Sequence, residues 1–480
     1  MLNFRIIARF FSIVLIIEGL LMLLSAAVSW YYKEPASILL SAIITIVTGI
    51  LVFTPLRKAE KIYGNKEGYI IVTGIWLIMT LFGTLPYLFS GTIKNFGDAF
   101  FESMSGFTST GATILTGLDY HLHGVLFWRS LTQWLGGIGF ILISLSLLPV
   151  VKTINIQLTI TDFTGQTIGK IHPKIWEAGK RLILIYVVLT FMEAALLMAG
   201  GMNLFDSICH SFTTMSTGGF TTHDNSMAAF GSPFILVVLT VFMFLAGTNM
   251  TLIYFGIKRN FKKITGNNEF IFYITVCLFF IAVGSYILWS EKIFPAGKAV
   301  LQGSFQIVSI ITTTGFYNSN YALWGHIMII ILFVLMFTGA TSGSASGSLK
   351  MIRLLVATRN ARHELRRIIH PSAVIPVHIG HKSLPQSLVY NLLIFITVYF
   401  VSICASSLVI SLIGYDLITS VSTSAAMLGN IGPSLGSFGP FSTYASAPVA
   451  AKWFFAFLML LGRLELFSVL ILFNRNFYRR

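Results

Sequence analysis

The stretch "AVLQGSFQIVSIITTTGFYN", residues 299–318, decides how this chain is read. At its end, within 309–318, three threonines run into a glycine, an aromatic and an asparagine in a very apolar sequence, where a helix should begin or end. Alone, it reads as a loop or an interfacial helix. Three further stretches share its pattern: "NFGDAFFESMSGFTSTGAT" (95–113), "NLFDSICHSFTTMSTGGFTT" (203–222) and "DLITSVSTSAAMLGNIGPS" (416–434). Each has about a dozen to fifteen residues before its turn, short for a membrane crossing and suited to a re-entrant helix. Each is flanked by apolar spans, so four ordinary loops with matching turns explain the pattern poorly.

The surrounding composition is that of a membrane protein. Of 480 residues, 55% are hydrophobic and 10% charged, with mean hydropathy +0.82, whereas soluble domains carry about 25% charged residues. Spans are expected near 6–31, 36–56, 68–90, 124–150, 181–201, 231–257, 268–290, 325–352, 387–413 and 449–474. The first lacks the small-residue cleavage site of a secretory signal and reads as a retained span. The polar stretches around 151–180 and 353–387 are too short for a soluble domain. Cys209, Cys277 and Cys404 lie far apart in apolar segments and read as inert core residues.

The net charge of +15 is distributed by side. Alternate connections and both ends hold twenty-five Lys and Arg; the opposite connections hold six, counting Arg129. That asymmetry predicts cytoplasmic termini and leaves no nucleic-acid patch, because the charges are split among short loops.

The turns align on Gly111, Gly218, Gly315 and Gly432, spaced 107, 97 and 117 residues apart (218 − 111, 315 − 218, 432 − 315). Irregular backbone at membrane depth is tolerated only against protein or a water-filled cavity. Four short helices ending together aim the negative ends of their dipoles at one place. Glycine permits positive φ, so carbonyls can turn inward and replace the hydration shell of an ion such as K⁺. The candidate ion site comprises Thr110, Gly111, Thr217, Gly218, Thr314, Gly315, Asn430, Ile431 and Gly432. Capping or packing is the competing reading for each hydroxyl taken singly. Asp98, Glu102 and Asp206 lie near the starts of the first two short helices and Asp416 at that of the fourth, where acids favour a helix N-terminus, with ion attraction at the pore mouth as the competing reading.

The ordered set "ESMSGFTSTGAT", "WRSLTQWLGGIGFI", "TTMSTGGF", "TTTGF", "GNIGP" and "LLGRLELF" resembles the Trk/Ktr/HKT superfamily of potassium transporters. The two N-terminal spans resemble its TrkH/TrkG branch, and the likeness covers nearly everything from about residue 68. It implies an all-α polytopic fold with four pseudo-symmetric span–pore-helix–span repeats around one K⁺-channel-like pore, preceded by two extra helices. The divisions are then 1–67 for the extra helices, 68–150, 151–263 and 264–370 for repeats one to three, and 371–480 for the fourth. The implied function is K⁺ uptake across the bacterial inner membrane. Family filter glycines carry over onto Gly111, Gly218, Gly315 and Gly432. The fourth turn departs in having "GNIGPS", with a second glycine at Gly429.

A gate is expected in "FTGATSGSASGSLKMIR", residues 337–353. Gly339, Gly343 and Gly347 at GxxxGxxxG spacing fit close helix packing. Small polar residues all around the helix fit an unwound loop better, and the resembled family has an intramembrane loop there. Ser344, Ser346 and Lys350 belong to the same candidate gate. Arg463, about midway along the last expected span, needs a cavity or a partner. Glu465, two residues on, points to another helix face. The resemblance places Arg463 below the filter beside the loop, as a barrier or latch.

The resemblance also implies a homodimer and a cytoplasmic TrkA-type nucleotide-binding regulatory subunit, docking on the basic loops at 152–181 and 353–382 unless these only meet membrane lipid. This chain has neither GxGxxG opening a βαβ unit nor GxxxxGK[ST], so no organic cofactor is expected on it; NAD or ATP would belong to the partner. A H⁺- or Na⁺-coupled symporter is the rival transport reading, but no carboxylate pair suggests a coupling site. An intramembrane serine hydrolase would need an activated serine and a nearby base, and the serine-rich stretch has no GxSxG. The histidines are too scattered for a metal centre.

Overall fold

The computed structural model describes residues 2–57, 64–146, 172–370, 375–380 and 382–478. Two long helices, α1 (Phe4–Tyr31) and α2 (Ser37–Leu56), pack along each other ahead of the repeats. The first repeat comprises α3 (Asn65–Gly83), the short α4 (Phe96–Phe107) and α5 (His123–Ser146). The second comprises α6 (His172–Ala199), the short α7 (Leu204–Met215), α8 (Pro233–Ala246) and α9 (Met250–Ile257). The third has α10 (Asn268–Ser290), the short α11 (Ala296–Ile311), α12 (His326–Met336) and α13 (Met351–Ile369). The fourth has α14 (Gln386–Leu412), the short α15 (Leu417–Gly429), α16 (Val449–Arg463) and α17 (Phe467–Leu470). Strand pairing among the described residues is limited to His378–Ile379 with Lys382–Ser383 and one isolated bridge, Thr338 to Leu349.

Six helices among the described residues are long and apolar enough to cross a membrane, and two bent pairs meet the test jointly. Polarity is distributed as a bilayer demands. Leu184, Val188, Phe191, Leu278 and Phe279 are exposed on the outside, while Thr213, Thr214, Thr312, Thr313 and Thr314 are fully buried.

The short helices begin where their sequences say they should. Asn95, Asn203 and Asp416 each accept a hydrogen bond from a first-turn amide, of Gly97, Asp206 and Thr419. Glu102, expected near a helix start, is instead mid-helix and wholly buried.

The spans expected at 231–257 and 449–474 are not continuous. α8 and α9 meet at 107°, and α16 and the segment from Phe467 to Phe473 meet at 111°. Asn249 ends the first break by capping α9 through the Thr251 amide, 2.8 Å away. In the second, Glu465 and Leu466 both take positive φ, 54° and 44°, conformations rare outside glycine. Arg463 is therefore the last residue of α16 rather than the middle of a helix. The expected loop in repeat three is present: 337–350 separates α12 from α13. The basic stretch 152–171 lies outside the described residues.

Candidate functional site

The four short helices end in the same backbone motif. Ser109, Thr217, Thr313 and Asn430 each take a left-handed conformation, with φ of 50°, 54°, 58° and 51°. The next amide in each turn bonds back five residues: Thr110 to Ser105 O, Gly218 to Thr213 O, Thr314 to Ser309 O and Ile431 to Ala426 O, all at 2.8–2.9 Å. This is a Schellman closure, in which glycine usually occupies the left-handed position. Threonine there carries strain, which concentrates at functional sites.

The motif fixes the register. One residue past the closing amide lies a glycine with positive φ: Gly111 (83°), Gly219 (78°), Gly315 (79°) and Gly432 (94°). Gly219, not Gly218, is thus the counterpart in repeat two; a Gly-Gly pair leaves a sequence alignment free to choose either. Gly218 remains in the turn as the counterpart of Thr110, Thr314 and Ile431, and Thr217 is the counterpart of Ser109. The fourth turn, despite Gly429, keeps the common register.

The turns close into a ring. A Cβ on Gly111 would overlap the Gly218 carbonyl oxygen, and one on Gly219 the Thr314 oxygen. One on Gly315 would overlap the Ile431 oxygen, and one on Gly432 would crowd the Thr110 oxygen. Each glycine therefore abuts the carbonyl of the following repeat, and the fourth abuts the first. Four equivalent carbonyls, from Thr110, Gly218, Thr314 and Ile431, converge at this ring.

Buried polar groups brace it. The Glu102 carboxylate accepts from the Ile114 amide and the Thr113 hydroxyl, each at 2.9 Å, and pairs with Arg129 Nε at 2.9 Å. Arg129 also donates to Thr221 O at 3.0 Å, joining the strands that follow the first two turns. Arg129, counted above with an outer connection, is fully buried on α5. The Asn430 amide donates to Thr110 Oγ1 and to Met459 O, each at 2.9 Å, and Tyr444 donates to Gly432 O at 2.9 Å. Gln133, which no sequence argument picked out, bridges Gly218 O (2.8 Å) and the Phe220 amide (3.1 Å). Arg129 and Gln133 share one face of an apolar helix at i, i+4, which is the signal that could have found them.

Against the ends of α11 and α15, and leading into α13, lies the loop 337–350. The Gly347 amide donates to Thr313 Oγ1 at 2.8 Å, and a Cβ on Gly347 would overlap the Gly429 carbonyl. Gly343 has φ 78°. The loop reaches repeat two through Thr341, which bonds Gly247 O at 2.9 Å, and through Asn249, which donates to Ser342 O at 2.7 Å. It reaches repeat one through Arg463, whose Nη1 donates to Ala345 O at 2.7 Å while Nη2 donates to Gly136 O at 2.9 Å and Ser109 Oγ at 3.2 Å. All four repeats therefore meet the loop or its immediate clamp. Gly339 packs against Gly347 and Leu349 carbonyls, Ser344 and Ser346 share a 2.9 Å hydroxyl contact, and Lys350 Nζ donates to the Ser346 carbonyl. Arg463 has carbonyl partners rather than a carboxylate; Glu465 pairs with Arg353 at 2.5 Å.

Just past the second turn, His223 bonds Asp119 and Asp206. The Asp206 hydrogen bond is the largest cause raising its pKa to about 9. Among the described residues there is no group of three or more His, Cys, Asp or Glu side chains that could hold a metal ion.

Comparison with known proteins agrees with this architecture. The family model for TrkH, described as a cation transport protein, matches residues 35–478. The Trk system potassium uptake protein TrkH of Salmonella typhimurium is 34% identical over 484 residues, covering 100% of both chains. TrkG of Escherichia coli is 28% identical over 480 residues, covering 99% of each. The crystal structure of the potassium transporter TrkH from Vibrio parahaemolyticus superposes with a TM-score of 0.91 at 32% identity, again covering 100% of both chains. These relatives are named as transporters, not enzymes. With its four re-entrant repeats and a family match over nearly its whole length, the chain belongs to the TrkH family of membrane-embedded cation transport proteins.

Proposed function

We propose that the chain carries K⁺ into the cell across the bacterial inner membrane, through a pore whose selectivity filter is the ring of four turns. The observation that carries this reading is the cyclic contact of each positive-φ glycine with the next repeat's carbonyl. Backbone carbonyls held in a ring can replace the hydration shell of an alkali cation. The membrane potential contributes about 2.3 kcal/mol per charge per 100 mV, enough to drive uptake through a passive path. The filter residues are Thr110, Gly111, Gly218, Gly219, Thr314, Gly315, Ile431 and Gly432, with Thr217 and Asn430 setting the turns.

The loop 337–350, with Lys350 and Arg463, is the gate in this reading, and the repeats divide near residues 68, 151, 264 and 371. Both termini face the cytoplasm, the chain works as a homodimer, and a TrkA-type nucleotide-binding subunit opens the gate from that side. Purified protein in liposomes tests this by flux of K⁺, Rb⁺ and Na⁺, with and without a H⁺ gradient. Flux of K⁺ down its own gradient supports a channel-like path. An absolute requirement for H⁺ or Na⁺ would replace it with a coupled symporter.

A further inference from the structure

We infer that Gln133 on α5 is a positioning residue for ion specificity, supplying from the first repeat the side chain that the second repeat's turn lacks. Three of the four equivalent positions carry a side chain, Thr110, Thr314 and Ile431; the second has Gly218. Backbone conformation does not require this glycine, since Gly218 is absent from the positive-φ residues. Space does. A Cβ on Gly218 would fall on the carboxamide of Gln133, overlapping Cδ and Oε1 and lying 2.8 Å from Nε2.

The Gln133 side chain is fully buried and straddles Gly219. Its Nε2 donates to the Gly218 carbonyl at 2.8 Å and its Oε1 accepts from the Phe220 amide at 3.1 Å. Repeats one and three do this differently. There the Thr110 and Thr314 hydroxyls contact the Thr108 and Thr312 hydroxyls of their own turns, at 2.7 and 2.8 Å. Asn430 of the fourth repeat ties the first turn at the Thr110 hydroxyl; among the described residues, the Gly218 carbonyl is the ring carbonyl tethered by a side-chain amide from another repeat. Discrimination between K⁺ and Na⁺ depends on how far ring carbonyls can move toward a smaller ion. A tether on one of four sets a limit on that movement. Ser109 Oγ also donates to the Gln133 carbonyl at 3.2 Å, so the same residue bears on the first turn.

This inference rests on the ring being the filter, and the experiment separates the two. Four variants of the full chain are compared in liposomes by K⁺ and Na⁺ flux: Gly315→Ser, Gln133→Leu, Gly218→Thr, and the double variant Gln133→Ala with Gly218→Thr. Gln133→Leu is expected to lower the K⁺ to Na⁺ flux ratio about fivefold, the scale of one buried hydrogen bond. Gly218→Thr is expected to abolish flux, and the double variant, which installs the arrangement of repeats one and three, to restore K⁺ flux. A restored double variant supports the exchange even if Gln133→Leu fails to fold. A wild-type ratio in Gln133→Leu beside a lowered one in Gly315→Ser overturns this inference alone, as does a double variant no better than Gly218→Thr. A wild-type ratio in Gly315→Ser overturns the filter reading and this inference together.

Discussion

Replacing Arg463 with alanine tests the gate most directly. Arg463 is fully buried and makes three hydrogen bonds, to Ala345 O, Gly136 O and Ser109 Oγ, while its guanidinium stacks 4.5 Å from the Phe140 ring centroid. Only the bond to Ala345 ties the loop; the others fix Arg463 to the first repeat and survive if the loop swings away. A hydrogen bond from a charged group contributes about 1.5–3 kcal/mol net. At about 1.4 kcal/mol per factor of ten, its loss shifts the closed-to-open equilibrium roughly 10- to 150-fold. A mostly closed pore should therefore pass at least about tenfold more K⁺ in Arg463→Ala when the protein is alone in liposomes. Arg463→Lys keeps the charge but not the fork that spans loop and wall, so its flux should lie between. K⁺ efflux from loaded vesicles, normalised to folded protein by gel filtration, measures the effect. Wild-type flux in folded Arg463→Ala would refute the latch, since the loop would then be held closed without it.

Shortening the loop by deleting residues within 339–347 should also raise basal K⁺ flux, read in the same vesicles; unchanged flux would count against obstruction by the loop. Gly219→Ala should disturb K⁺ over Na⁺ discrimination, because its φ of 78° disfavours a side chain and the new Cβ meets the Thr314 carbonyl; a wild-type selectivity ratio would mean that the register assigned to repeat two is wrong. Arg129→Ala leaves the buried Glu102 carboxylate without its cation and should cost about 3–5 kcal/mol, seen as a lower melting temperature in detergent, with Glu102→Gln partly restoring it. The His223 pairing, with its pKa raised to about 9, contributes stability that is fully present below the ordinary imidazole value of about 6.5 and is lost as pH rises through about 9. Melting temperature should therefore fall between those values, and His223→Asn should flatten that part of the profile.

The features legible in the sequence are those that local chemistry dictates. "TTTGF" and its three counterparts announced re-entrant helices because cap residues, short apolar length and a glycine turn all lie within about twenty residues, too few to span with the turn included. The glycine-serine run at 337–353 announced an unwound segment for the same reason, and the structure has no helix between Met336 and Met351. In repeat two the positive-φ glycine is Gly219, one residue past the Gly218 that sequence alignment suggests, because the two glycines are locally equivalent. Only the Schellman closure and the contact of Gly219 with Thr314 O separate them.

Apolar run lengths, caps and charge asymmetry were thus enough to establish a membrane protein with four repeated re-entrant turns and a break in repeat three. Tertiary structure decided which atoms those turns bring together. Asn430 meets Thr110 across 320 residues, Arg463 meets Gly136 across 327, and Gln133 meets Gly218 across 85. Arg463 is a charge that needs a cavity or a partner, and its two terminal nitrogens reach three oxygens, the Ala345 and Gly136 carbonyls and the Ser109 hydroxyl. The broken helices at Gly247–Asn249 and Leu464–Leu466 likewise followed from what packs against them: the freed Gly247 carbonyl is taken by Thr341 of the loop, a partner that no window of local sequence contains.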